Sequence, residues 1–193
     1  MKFNKKLMVA VIPVALVLSN NSFADDKPVP VSPTPITVKG GIINFTGSIV
    51  NTPCVVDNDD ASQTVKLGQF RQDAFSGKDS TSSPVGFDIK LTGCAIDTFK
   101  KAAVTFSGIA VPNSTDKLAL TASQAGQSTA SGVGIQILQN SEVVKVDGST
   151  PTSSVLLSKG DSTLRFQAQY IALDNQVTAG EANASADFTI TYQ

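Results

Sequence analysis

Residues 188–193 read FTITYQ: Phe188, Ile190 and Tyr192 alternate with Thr189, Thr191 and Gln193, and the sequence stops on that pattern. A period of two puts the three apolar side chains on one face of a strand and the polar ones on the other. The stretch therefore predicts a core strand that ends at the chain's own carboxylate, with no strand left to follow it. The same alternation recurs upstream. Phe87, Ile89 and Leu91 oppose Asp88, Lys90 and Thr92, while Leu164, Phe166, Ala168 and Tyr170 oppose Arg165, Gln167 and Gln169.

Working outward, nine strands are expected: Ile42 to Asn51, Gln63 to Leu67, Val85 to Thr92, Ala102 to Ser107, Lys117 to Thr121, Gly132 to Leu138, Glu142 to Val146, Thr163 to Ala172 and Ala184 to Tyr192. Turns such as Asp147-Gly148 and Lys159-Gly160-Asp161 separate them. Helical periodicity is nowhere sustained. Many short strands in a chain of this size predict an all-β fold built as a two-sheet sandwich.

The first residues have a different origin. Lys2, Lys5 and Lys6 precede an apolar run from Leu7 to Leu18 and then Ser22-Phe23-Ala24. That three-part pattern is a signal peptide, residues 1–24, with cleavage expected before Asp25, and its apolar run is too short to span a membrane. Residues 25–35 (DDKPVPVSPTP) carry four prolines and read as an extended Pro-rich leader with no packing of its own. Without the signal peptide, the 15 basic residues fall by three lysines, against 16 acidic residues. The mature chain is mildly acidic with scattered lysines, which argues against nucleic acid as a partner.

Cys54 and Cys94, in an exported chain, read as one disulfide. A metal pair or a reactive thiol would call for histidines nearby, and the chain has none. That absence excludes a Ser-His-Asp triad, a Cys-His pair and histidine-ligated zinc. The acidic run Asp57-Asn58-Asp59-Asp60 lacks the ligand spacing of a calcium loop and reads as a solvated turn. The Gly132-Val133-Gly134 stretch falls within an expected strand, unlike a phosphate loop. No metal, no cofactor and no catalytic residue are expected.

Taken together, TVKGG (37–41), VNTPCVVD (50–57), QTVKLGQ (63–69), VGFDIKLTGC (85–94), VGIQIL (133–138), FQAQYIA (166–172) and FTITYQ (188–193) resemble the subunits of chaperone-usher fimbriae, type 1 shaft pilins in particular. The resemblance covers the mature chain beyond the leader, which is longer and richer in proline than such subunits have. It implies an incomplete immunoglobulin-like sandwich lacking its seventh strand, completed by a donor strand from a neighbouring subunit. The gap would be filled first by a periplasmic chaperone, and an outer-membrane usher would handle assembly. Donor-strand complementation of this kind is a known case of strand addition to an open sheet.

On that resemblance TPITVKGGIINF, residues 34–45, contains the donor strand. Residues 36–43 form the N-terminal extension and 44–193 the pilin domain. Alternation places Ile36, Val38, Gly40 and Ile42 on one face, to enter the neighbour's groove, with Gly40 allowing close backbone approach. Phe188, Ile190 and Tyr192 would line the acceptor groove and bind the chaperone.

The expected function is a structural, non-enzymatic subunit of a bacterial surface fimbrium that polymerises head to tail with identical or related pilin subunits and contributes to adhesion, reaching the surface through the periplasm. The alternative is a fimbrial adhesin or a secreted immunoglobulin-like module that itself binds a host glycan, which would add a host-cell receptor to the partners. Tip adhesins of the family carry an extra lectin domain and lack a donor extension, the reverse of this chain. Beyond the signal peptide, three glycosylation sequons, at Asn44, Asn113 and Asn183, fit chance in a chain so rich in Ser, Thr and Asn.

Overall fold

The computed structural model describes residues 34–122 and 126–193. The expected signal peptide, residues 1–24, and most of the expected Pro-rich leader, residues 25–35, lie outside the described residues. The chain divides into two compact units, Met1–Thr46 and Gly47–Gln193. In the first, residues 34–46 carry no secondary structure and every one is exposed.

The second unit is a two-sheet sandwich. Its strands are β1 (Val55–Val56), β2 (Val85–Cys94), β3 (Lys101–Gly108), β4 (Val133–Gln139), β5 (Glu142–Val143), β6 (Val155–Leu156), β7 (Gly160–Ala172) and β8 (Ala186–Tyr192). One sheet runs β1-β2-β7-β4-β5 and the other β6-β3-β8. Every pair among these strands is antiparallel. The central pairing sets β2 against β7 with Phe87 opposite Phe166 and Ile89 opposite Leu164, so the predicted apolar faces coincide on one side of the sheet.

Those faces meet the inward side chains of β3, and Ile89, Leu91, Val104, Phe106, Leu164 and Phe166 form a buried core. Phe106 packs edge-on against Phe166 with ring centroids 5.1 Å apart. Edge-to-face geometry sets the positive rim of one ring against the negative face of the other. Cys54 and Cys94 are joined by a disulfide that fixes the start of β1 to the end of β2.

Several expected strands take other forms. Ile42 to Asn51 is irregular and exposed throughout, because alternation alone forms no strand without a partner for its backbone. Gln63 to Leu67 runs beside β2 without a ladder; its Gln63 side chain donates to the Asp88 carbonyl at 3.0 Å. In Lys117 to Thr121 only Leu118 is strand-like, bridging Ala110 and Ile135. Glu142 to Val146 shrinks to β5, and the two-residue strands β1 and β6 arise where no alternation signalled them.

The acidic turn is less solvated than expected. Asp60 is buried, and its carboxylate accepts a 2.7 Å hydrogen bond from the Lys90 N–H in the middle of β2. Asp57 holds the turn by accepting from the Asp59 N–H at 3.0 Å. The turn thus pins the segment that follows it to the edge of the larger sheet.

Candidate assembly groove

β8 pairs with β3 along its whole length, from Ala102 opposite Tyr192 to Gly108 opposite Ala186, and among the described residues its other edge has no strand beside it. The alternation of FTITYQ therefore creates a strand whose inward face is apolar but whose backbone is satisfied on one side only. Its inward residues Ala186, Phe188, Ile190 and Tyr192 are only half-buried, although they pack against the core. Gly108 permits the approach at the upper end, where an added Cβ would lie 2.7 Å from the Ser185 carbonyl oxygen.

Beside that free edge a cleft of about 970 Å³ opens between the two sheets. Residues 60–68 form one wall and Ala182–Phe188 the other. The floor is apolar: Phe106, Ile137 and Ala168 are buried beneath it, and Phe87 is half-buried. A smaller cavity of about 400 Å³ continues from it, lined by Phe70, Phe75, Tyr170 and residues 177–183.

Two tyrosines mark the ends of β8. Tyr170 donates its hydroxyl to the Ala182 carbonyl at 3.0 Å, and Tyr192 donates to the Cys54 carbonyl at 3.3 Å. Burial pushes the Tyr170 phenol above its usual range, with the nearby Glu181 charge adding to the effect, and burial alone raises Tyr192. Both stay neutral donors: Tyr192 ties the end of β8 to Cys54, and Tyr170 ties β7 to the segment that leads into β8.

Of the three C-terminal residues singled out by sequence, Phe188 lines the cleft, while Ile190 and Tyr192 share its face of β8 nearer the disulfide and outside the cleft lining. Among the residues of the expected donor face, Ile36, Val38 and Ile42 are 87, 79 and 81% exposed, and nothing lies within 4 Å of where a Cβ on Gly40 would sit. Sequence reading missed that the exposed apolar run continues: Ile43 and Phe45 are 79 and 90% exposed and Ile49 is fully exposed. The signal was legible as a second alternation, shifted by one residue from the first. It was assigned instead to a first strand of the chain's own sandwich.

The family model described as "Fimbrial protein" matches residues 43–193. The chain belongs to that family. This fimbrial subunit is 40% identical over 189 residues to the "Fimbrial subunit type 1" of Salmonella typhimurium, a match covering 97% of this chain and 98% of that one. Two solved structures share its fold. A chaperone-usher pilus, described as revealing the molecular basis of rod uncoiling, aligns with a TM-score of 0.68 and 27% identity, over 84% of this chain and all of that one. The P pilus rod subunit PapA aligns with a TM-score of 0.62 and 25% identity, over 74% of this chain and all of that one. The fimbrial subunit is accordingly a structural component of a pilus, with the immunoglobulin-like fold of chaperone-usher pilins, one strand short.

Proposed function

We propose that this subunit polymerises by lending its N-terminal segment to the cleft of the next subunit, as a non-catalytic building block of a surface fimbrium. A single observation carries the reading: the free edge of β8 borders an apolar cleft, while residues 36–50 of the same chain hold apolar side chains that nothing covers. A strand entering the cleft satisfies the β8 backbone and covers the half-buried Phe87 and Phe188 at once. Head-to-tail contacts of this kind do not close on themselves, so they grow a fibre. Before assembly, a periplasmic chaperone fills the same cleft and an outer-membrane usher exchanges it for the incoming subunit. No cofactor enters this cycle.

The donor stretch has two apolar faces, Ile36, Val38 and Ile42 on one and Ile43, Phe45 and Ile49 on the other. A straight strand buries only one of them. Phe45 matches the aromatic floor, and Gly47 between it and Ile49 allows the backbone to come close. A one-residue slip at Gly40-Gly41, where Gly41 has φ +151°, brings Ile36 and Val38 into phase with this second face and turns Ile42 outward.

Thermal unfolding of three proteins tests the proposal: residues 51–193 alone, the same body followed by a Gly/Ser linker and a copy of residues 33–43, and the body with a copy of 41–51. The bare body should melt at low temperature. The protein carrying 41–51 should stay monomeric and melt cooperatively far higher, since the linker lets the copy run back antiparallel to β8. A rise only with 33–43 would restore the first face as the donor. If all three melt alike, the sandwich is complete without a donor, and a secreted glycan-binding module becomes the better reading.

A further inference from the structure

Two opposite charges stand on the two walls of the cleft. Residues 60–68 alternate along one wall: Val65 and Leu67 are half-buried, whereas Thr64 and Lys66 are exposed. On the other wall Asp187 is exposed between the inward Ala186 and Phe188. Lys66 and Asp187 thus both belong to the outer rim. The ion pairs among the described residues are Arg71 with Asp73 and Lys117 with Asp79, so neither rim charge is engaged in one.

The two charges sit at matching depth. Gln63 donates to the Asp88 carbonyl, next to Phe87, and Phe87 packs against Phe106, which lies opposite Phe188. The wall then continues to Gly68, which borders the smaller cavity beside Tyr170 and Ala182. Lys66 therefore lies past the level of Phe188, toward the end of β8 that holds Asp187. Neighbouring strands are about 4.8 Å apart, so two segments that flank one inserted strand stand about 10 Å from each other, within the combined reach of a lysine and an aspartate.

The donor sets what lies between them. From Gly40 to Val50 it holds no charged residue. Every strand pair among the described residues is antiparallel, and a donor that follows this rule with Phe45 beside Phe188 brings Thr46 opposite Asp187, with Asn44 and Ser48 next to it on the outward face. These small neutral side chains offer the rim charges no partner and leave room for a lysine to cross above them.

We propose that Lys66 and Asp187 pair across the outer face of the seated donor, as a strap that closes only in the joint between two copies of this chain. The attraction draws both walls onto the donor and slows its release. The inference rests on the donor-strand reading and adds two residues that grip the donor without touching its apolar face.

Dissociation of fimbriae assembled from the full chain, followed in urea at low salt, tests it. Lys66→Asp and Asp187→Lys should each speed the release of subunits by roughly two- to five-fold. The two together restore the pair with its signs exchanged and should return the rate to that of the parent fimbriae. Salt near 1 M, where the Debye length is about 3 Å, should erase the differences. Unchanged rates in the single variants, or a double variant at the product of the two single effects, would overturn the strap. Either result leaves the donor strand untouched, because the melting experiment decides that reading separately. Should a reversed-charge variant yield no fimbriae, Lys66→Gln and Asp187→Asn are combined in the same way: the strap requires the double variant to dissociate no faster than either single one, and additive effects overturn it.

Discussion

β3 and β8 lie side by side in one sheet and face the same core, yet they are buried to different degrees. Ala102, Val104 and Phe106 on β3 are almost wholly removed from water, whereas Ala186, Phe188, Ile190 and Tyr192 on β8 are half-exposed. Hydrophobicity does not explain this, since β8 carries the larger side chains. Position does: β3 has β6 and β8 as neighbours, while β8 has a strand on one side and the cleft on the other. Burial of a strand is thus conferred by what stands beside it, and beside β8 the cleft takes the place of a neighbour.

Truncation should separate the two strands most sharply. Phe106→Ala removes a ring locked between Phe87 and Phe166 and should cost about 3 to 5 kcal/mol, with or without a donor. Phe188→Ala in the isolated body should cost only about 1 kcal/mol, since half of the ring is already wet. In the body carrying the appended donor its cost should climb toward that of Phe106→Ala. Denaturant melts of the four proteins measure this, and a donor-independent cost for Phe188→Ala would remove the basis of the comparison.

Next in size is the disulfide. Cys54→Ser with Cys94→Ser opens a loop of sequence separation 40, for which the chain-entropy account gives roughly 4 kcal/mol. The loss should appear as a lower urea midpoint in the bare body and in the donor-completed one alike, because the bridge lies at the pole away from the open end of the cleft.

Asp60→Ala should cost about 1 to 3 kcal/mol by leaving the Lys90 N–H in β2 without its carboxylate acceptor. The effect should be larger on donor binding than on the body's own melt, since residues 60–68 would lose their anchor as a wall of the cleft. Equal effects on both would show that this wall is rigid without Asp60.

The smallest effect concerns alkaline pH. Tyr170 and Tyr192 both have pKa values raised in the folded chain, so their stabilising contribution is complete below the ordinary tyrosine value of 10.0 and is lost as pH rises through the higher folded values. The melting temperature should therefore fall modestly above pH 10, and Tyr170→Phe with Tyr192→Phe should flatten that decline. A decline of the same size in the double variant would show that these two hydroxyls are not its source.

Much of the sandwich was legible because alternation over long strands is a strong signal. Val85 to Thr92 and Thr163 to Ala172 fall within β2 and β7, which pair face to face as their apolar residues demand. Gln63 to Leu67 and Ile42 to Asn51 carry similar patterns and form no strand in the chain. Alternation states that a segment suits a half-buried strand; it does not supply a partner for its N–H and C=O groups. Alternation puts Phe188, Ile190 and Tyr192 on one face of β8, but what lies opposite each of them depends on segments distant in sequence, which no local pattern encodes. Asp60 looked like part of a solvated turn because its acceptor role depends on Lys90, 30 residues away.

By itself the sequence determined the all-β class, the exclusion of histidine chemistry and a strand with an apolar face at residues 188–192, all of which follow from local composition and period. Only the tertiary structure decided that β8 is an edge, that the cleft is walled by an irregular segment pinned through Asp60, and that the uncovered apolar run extends to Ile49 and Val50. The reason is that local patterns fix which way a side chain points, whereas coverage depends on segments distant in sequence that arrive from elsewhere in the fold, or do not arrive at all.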